Sequence, residues 1–184
     1  MKIFSLLNKF LFYHCGKGVV IDPSCEINQH QYISLGNNVC IGRESWIDCP
    51  VENLAQKKAK PIIIIEDGVD IGRRAVISGL SKIHLHKNIL LSPNVYISDH
   101  SHQYQKTTLP VKLQGVTEIK PVEIGENSWI GINACLLPGS KIGKGCVVGA
   151  NSVVSQSFPD YCTIAGAPAR IVKKYDGSRW VRVK

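Results

Sequence analysis

At 184 residues with 44% apolar side chains, the chain has the size and hydrophobicity of one globular domain with a real core. A formal net charge of +8 points to an anionic partner, yet the basic residues are spread out and match no nucleic-acid-binding motif, which sets DNA and RNA aside. Sixteen glycines and nine prolines amid abundant Ile and Val, with a single Met, favour strands and turns over helices.

The first stretch, MKIFSLLNKFLFYHCG, carries an apolar run too short, and too interrupted by Asn8 and Lys9, to span a bilayer. Residues 1–16 read as a short amphipathic helix packed against the fold or a neighbouring subunit, with peripheral docking on a membrane surface as the alternative. The seven cysteines (15, 25, 40, 49, 135, 146 and 162) form an odd set without CxxC or another zinc-ligand spacing, and no secretory signal precedes them. They read as reduced, mostly buried thiols of a cytoplasmic protein.

From residue 19 onward the aliphatic residues recur every six positions. Leu35, Ile41 and Ile47 form one block, Ile65, Ile71 and Ile77 a second, and after a two-residue slip come Leu85, Leu91 and Ile97. The longest block is Ile124, Ile130, Leu136, Ile142, Val148 and Val154. Small or slender side chains follow four places on: Val39, Ser45, Ser128, Ala134, Ser140, Cys146 and Ser152. Glycine comes directly after the aliphatic residue at 125, 131, 143 and 149, where it is expected to supply unusual backbone angles. A period of six suits neither a helix nor an ordinary strand. It suits a short strand and a tight corner, three of which close one triangular turn that stacks on the next at about 4.8 Å. Such quasi-one-dimensional folds need caps, here the N-terminal helix and the segment from 158.

The run IGENSWIGINACLLPGSKIGKGCVVGANSVVSQSFPDYCTIAGAPARIV, with its hexads and GAPAR ending, resembles the hexapeptide-repeat acyltransferases over at least residues 33–172, closest to the galactoside, maltose and polysaccharide O-acetyltransferases. That resemblance implies an all-β fold, a left-handed parallel β-helix, assembled as a homotrimer and using acetyl-CoA with no metal. The expected layout is a single domain, 1–184: the helix 1–16, the β-helix 19–157 with loops at 48–61 and 99–121, and a C-terminal cap at 158–184.

The hexad pattern breaks at Gln103 and resumes at Ile124, so a loop of about twenty residues leaves the prism there, longer than idle loops usually are. His100 and His102 stand at its root. A sugar hydroxyl attacks a thioester poorly unless a positioned base takes its proton, and imidazole suits that task near neutral pH. In the resembling enzymes the catalytic histidine follows a V-x-I-x-x-x-x-H segment; Val95, Ile97 and His102 reproduce that spacing. His102 is therefore the expected base, His100 the second choice, and Asp99 the residue that orients an imidazole. Carried over by position, the acetyl-CoA contacts are Trp129, Gly131, Ile132, Ala150 and Ser155, with Arg170 and Lys173 or Lys174 at the phosphates; Gln156 stands where relatives often carry a basic residue. Arg73 and Arg74 are the expected contacts to the sugar or glycan acceptor, although Gly72 replaces the family's asparagine there.

Two competing readings remain. His84, His86, His100 and His102 offer a ligand set for a metal-dependent enzyme resembling the γ-class carbonic anhydrases, though the histidine spacing differs from that class. An amine acceptor, as in nucleotide-sugar N-acetyltransferases, is the other. The leading expectation is a cytoplasmic enzyme, with the inner face of the membrane as the alternative placement, that acetylates a surface polysaccharide or its precursor.

Overall fold

The computed structural model describes residues 11–50 and 60–183. Short strands stack into three sheets of seven, nine and six, parallel throughout except for the last two strands of the nine-stranded sheet, and these are the three faces of a left-handed parallel β-helix. The hexads dictate this directly, because register partners on successive coils are the aliphatic residues themselves. On the first face Leu35, Ile65, Leu85, Ile124, Ile142 and Phe158 form one column. The second face stacks Ile21, Ile41, Ile71, Leu91, Ile130, Val148 and Ile164. The third stacks Ile27, Ile47, Ile77, Ile97, Leu136 and Val154. Nearly all of these are fully buried, so the core is three aliphatic columns meeting along the prism axis.

Corner chemistry differs from the expectation in one respect. Left-handed backbone falls on the third corner position, where asparagine is the commonest occupant, at Asn38, Asn88, Asn94, Asn127, Asn133 and Asn151, beside glycines such as Gly68 and Gly145. Their amides stack, Asn94 donating to Asn133 at 3.0 Å and Asn133 to Asn151 at 3.0 Å. The glycine after each aliphatic residue answers a different demand. A Cβ on Gly125 would stand 2.5 Å from the Lys144 nitrogen of the next coil, and one on Gly131 2.7 Å from that of Ala150. Close approach of stacked backbones, not an unusual dihedral, fixes these glycines. The serines of the small slots turn inward and bind corner carbonyls: Ser45 Oγ donates to Gly42 at 2.7 Å and Ser128 Oγ to Gly143 at 3.0 Å.

Boundaries shift at both ends. The helix expected at 1–16 lies mostly outside the described residues, and its last part is strand, since His14–Cys15 pairs with Ser34 and Leu35. The prism also runs past 157: Phe158 stacks on Ile142, and Ile164 on Val148. Only then does the chain reverse, Ala169–Tyr175 pairing antiparallel with Cys162–Gly166 and then with Trp180–Arg182 to close the open end. Among the described residues no helix is long and apolar enough to cross a membrane.

All seven cysteines are free, but only Cys49, Cys146 and Cys162 are buried, fewer than expected; Cys40 is exposed and the other three are half-buried. Burial pushes the Cys49 thiol up to about 12 and the Cys146 thiol up to about 11. Thiolate is the reactive form; desolvation raises the Cys40 thiol as well, but its exposure leaves it open to reagent, so iodoacetamide at pH 7.5 should modify Cys40 in the folded protein and leave Cys49 and Cys146 untouched until denaturant is added, as peptide mass spectrometry would reveal. Gly125→Ala should cost about 1–3 kcal/mol through the backbone clash it creates. Gly149→Ala, whose added Cβ would first meet the Ala165 methyl at 3.1 Å, should cost less in the same urea denaturation series.

Candidate active site

The third-face strand Tyr96–Ser98 delivers the chain to a corner where, instead of turning, it leaves the prism. Asp99 sits at the departure point, fully buried. Its Oδ1 accepts a hydrogen bond from Leu80 N–H at 2.9 Å, and its Oδ2 accepts from Ser81 N–H at 2.6 Å and Lys82 N–H at 2.8 Å. One carboxylate thereby satisfies three backbone donors of the turn on the preceding coil, the group that irregular corner most needs. The backbone of Asp99 is held too, its carbonyl accepting from Lys120 N–H at 2.8 Å where the loop returns.

His100 Nδ1 lies 3.0 Å from Asp99 Oδ1, and its side chain is only 11% exposed. Ser98 Oγ donates to the His100 carbonyl at 2.8 Å and fixes the backbone beneath the ring. With Nδ1–H donating to the carboxylate, Nε2 carries the free lone pair of the neutral imidazole. His102 is exposed, in the two-residue strand Ser101–His102 that pairs antiparallel with Val116–Thr117. Among the described residues no hydrogen bond holds its ring.

Both histidines border a cavity of about 680 Å³. Trp46 and Tyr96 of the third face form its apolar floor, Leu80 and Ser78 line the corner, and Val116 and Ile119 of the extruded loop form a wall. Asp48 also lines it, a residue the sequence reading assigned to the start of a loop. It occupies the same register position as Ser78 on the next coil. Burial raises the Asp48 carboxyl above its usual range, with Glu26 adding repulsion and backbone and side-chain hydrogen bonds opposing. A carboxyl perturbed by burial in a cleft is a functional-site signal that residue spacing alone does not carry.

The expected cofactor residues divide. Trp129, Val147, Thr163 and Lys173 are successive register partners across the second face. Trp129 is about half exposed and its Nε1 donates to Ser92 Oγ at 2.9 Å. Gly131, Ile132 and Ala150 flank it on the corner between the second and third faces, and Arg170 pairs with Ala165 on the second-face sheet. Ser155 does not join them: it follows Val153–Val154 and lies at the opposite edge of the third face. Arg73 and Arg74 occupy the same corner as Ile132, two coils away, where Arg74 Nε pairs with Glu44 Oε2 at 2.6 Å. Within one chain they do not line the histidine cavity. His84 and His86 do not approach His100 and His102 either; they stand with Glu66 on the outer side of the first face, so the four-histidine metal set does not form.

Residues 121–156 match the family model described as bacterial transferase hexapeptide (six repeats). The chain is 31% identical over 177 residues to WbbJ of Escherichia coli (strain K12), named as a lipopolysaccharide biosynthesis O-acetyl transferase, with 93% of this chain and 85% of WbbJ covered. It is 36% identical over 158 residues to Rv3034c of Mycobacterium tuberculosis, named as an acetyltransferase. That match covers 86% of this chain but spans about half of the relative, 48% of its length. Among solved structures, a mutant of AntD, an N-acyltransferase from Bacillus cereus in complex with dTDP and coenzyme A, matches with a TM-score of 0.77. It covers 95% of this chain and 91% of AntD at 24% identity, a likeness of fold.

Asp99→Asn tests the triple acceptor. An amide offers one oxygen where two are used, and its NH2 would face backbone donors, so the variant should lose about 1–3 kcal/mol of stability in urea denaturation even though its volume is unchanged.

Proposed function

The chain belongs to the hexapeptide-repeat acetyltransferases, and on that premise we propose that it transfers acetyl from acetyl-CoA to a sugar hydroxyl in the building of a surface polysaccharide. The carrying observation is the Asp99–His100 pair at the edge of the cavity. The lone pair on His100 Nε2 takes the proton of the acceptor hydroxyl as its oxygen attacks the thioester carbonyl. Asp99, anchored by three backbone donors, holds the ring and offsets the charge of the imidazolium that forms. The C–O bond forms as the C–S bond breaks, and the proton ends on the departing CoA sulfur. His102, expected from its spacing to be the base, becomes an acceptor contact at the loop root in this reading, because nothing locks its ring. Trp46 and Tyr96 offer aromatic surface on which a sugar ring can lie. The naming of WbbJ as a lipopolysaccharide biosynthesis O-acetyl transferase supports a glycan hydroxyl as acceptor.

The pantetheine arm would run along Trp129, Ile132 and Ala150, with Lys173 and Arg170 near the phosphates and Ser155 outside the contact row. That row lies on the corner between the second and third faces, whereas the cavity opens at the corner between the third and the first. A second copy presenting its row to the first copy's cavity brings thioester and base together, which supports a homotrimer closed by three such junctions. Arg73 and Arg74, on the same corner as the row, would then approach the acceptor across the junction. Dependence on acetyl-CoA supports a cytoplasmic setting.

Acetyl-CoA turnover against a panel of glycans and nucleotide sugars tests the assignment. His100→Ala should lower kcat by about 10²–10⁴ with little change in the KM for acetyl-CoA, the loss typical of a general base, and His102→Ala should act chiefly on the acceptor KM. Full activity in His100→Ala would remove His100 as the base. An amide rather than an ester product would move the acceptor to an amino sugar.

A further inference from the structure

Four charged or titratable side chains unused by the acetyl transfer gather on the outer side of the first face. His84 lies in the strand Ile83–Leu85 and His86 follows it, so the two share one side of the extended chain. Their rings stack with centroids 3.9 Å apart. Glu66, at the end of the neighbouring strand on the preceding coil, places Oε1 2.7 Å from His84 Nε2 and 3.3 Å from His86 Nδ1. Glu123, on the following coil, places Oε1 2.9 Å from His86 Nε2.

His86 places both ring nitrogens near carboxylates, Nε2 in hydrogen-bonding geometry 2.9 Å from Glu123 Oε1 and Nδ1 3.3 Å from Glu66 Oε1. With the ring neutral and Nε2–H donating to Glu123, the Nδ1 lone pair stands beside an anion, a conflict that a second ring proton or a bound cation relieves. A cation between His86 Nδ1 and Glu66 removes that conflict and leaves Nε2–H to donate to Glu123. That is the carboxylate–histidine–metal arrangement by which an outer carboxylate orients a ligating ring. Lys141 Nζ, 3.4 Å from Glu123 Oε2, holds the outer carboxylate in turn.

We propose that Glu66, His84 and His86 form a binding site for one divalent transition-metal ion, best matched by Zn²⁺. Ligand atoms of a tetrahedral Zn²⁺ bound at 2.0–2.1 Å stand about 3.3 Å apart. The three donor atoms here all lie within 4.8 Å of one another, and the Glu66–His86 separation already has the required value. The His84 contact needs to open by about half an ångström to meet that spacing. The side chains are 16%, 28% and 30% exposed for His84, Glu66 and His86, so the ion enters from solvent and water completes its shell. The ion ties two coils together outside the catalytic cavity, so its role is structural and separate from the acetyl transfer.

Protein stripped with a chelator and dialysed is titrated with zinc chloride by calorimetry, and then with Co²⁺ as a spectroscopic probe. One Zn²⁺ per chain is expected, with affinity reduced at least tenfold in His84→Ala, His86→Ala and the near-isosteric Glu66→Gln, and unchanged in His100→Ala. At a hundredfold excess over Kd, Zn²⁺ should raise the melting temperature of the parent by roughly 5 °C and leave those three variants unmoved. Glu66→Gln guards against misfolding as the cause of lost binding, since its fold is checked by circular dichroism. No heat with the parent, binding that survives in all three variants, or a Co²⁺ spectrum with the charge-transfer band of cysteine ligation would each overturn the site.

Discussion

Backbone contact between successive coils governs everything else in this molecule. Parallel strands can stack in strict register only if each aliphatic residue sits directly above the last and nothing protrudes where one coil's corner meets the next. Glycine at positions such as 125 and 131 removes the offending Cβ, and asparagine in the left-handed seat lets amide side chains stack as the coils do. The hydrophobic columns then form as a consequence, each coil burying its apolar edge against only two neighbours.

That constraint also decides where function can be placed. The corners between the first and second faces and between the second and third are short and nearly uniform from coil to coil. Among the described residues the longer or irregular turns of the prism fall on the remaining corner: the 3-10 turn His30–Tyr32, the turn at 79–82 and the extruded loop at 99–121. A chain that leaves the prism there disturbs no stacked corner on the other two edges. The cost is unpaired backbone at the departure points, and Asp99 meets it by accepting three N–H groups of the preceding coil. The same carboxylate holds His100, so the device that closes a structural gap also provides an orienting partner for an imidazole.

The fold was legible because its period is imposed by backbone geometry and repeats along the chain. The aliphatic columns, the extruded loop and the capping role of the C-terminal segment could all be read from spacing, while most of the other expected loop, 48–61, lies outside the described residues. What spacing could not supply was the meaning of individual polar residues. Spacing ranks His102 above His100, and that the His100 ring has a hydrogen-bonded partner does not show in a one-dimensional pattern; nor do the three backbone donors on Asp99. Asp48 was hidden at the mouth of a loop, and it joins the cavity through register with Ser78. Glu66 and Glu123 escaped notice because they meet His84 and His86 from 18 and 37 residues away along the chain. The glycines were located correctly but for the wrong reason, because a clash with a neighbouring coil exists only after coils are stacked.

A solenoid distributes its chemistry by edge and face, and that distribution is what the proposed assembly rests on. Outward side chains on one face of a prism reach only groups on that face, its two corners and whatever is docked against it. The aromatic and basic row beginning at Trp129 belongs to the second face, and the Asp99–His100 pair belongs to the corner on the far side of the third. The third face between them is a stiff, hydrogen-bonded sheet that does not fold to bring them together. The proposed transfer calls for a junction between copies, whereas the Glu66–His84–His86 cluster, drawn from adjacent coils of one face, lies within a single chain. On that proposal the first depends on quaternary structure and the second only on the stacking of two neighbouring coils.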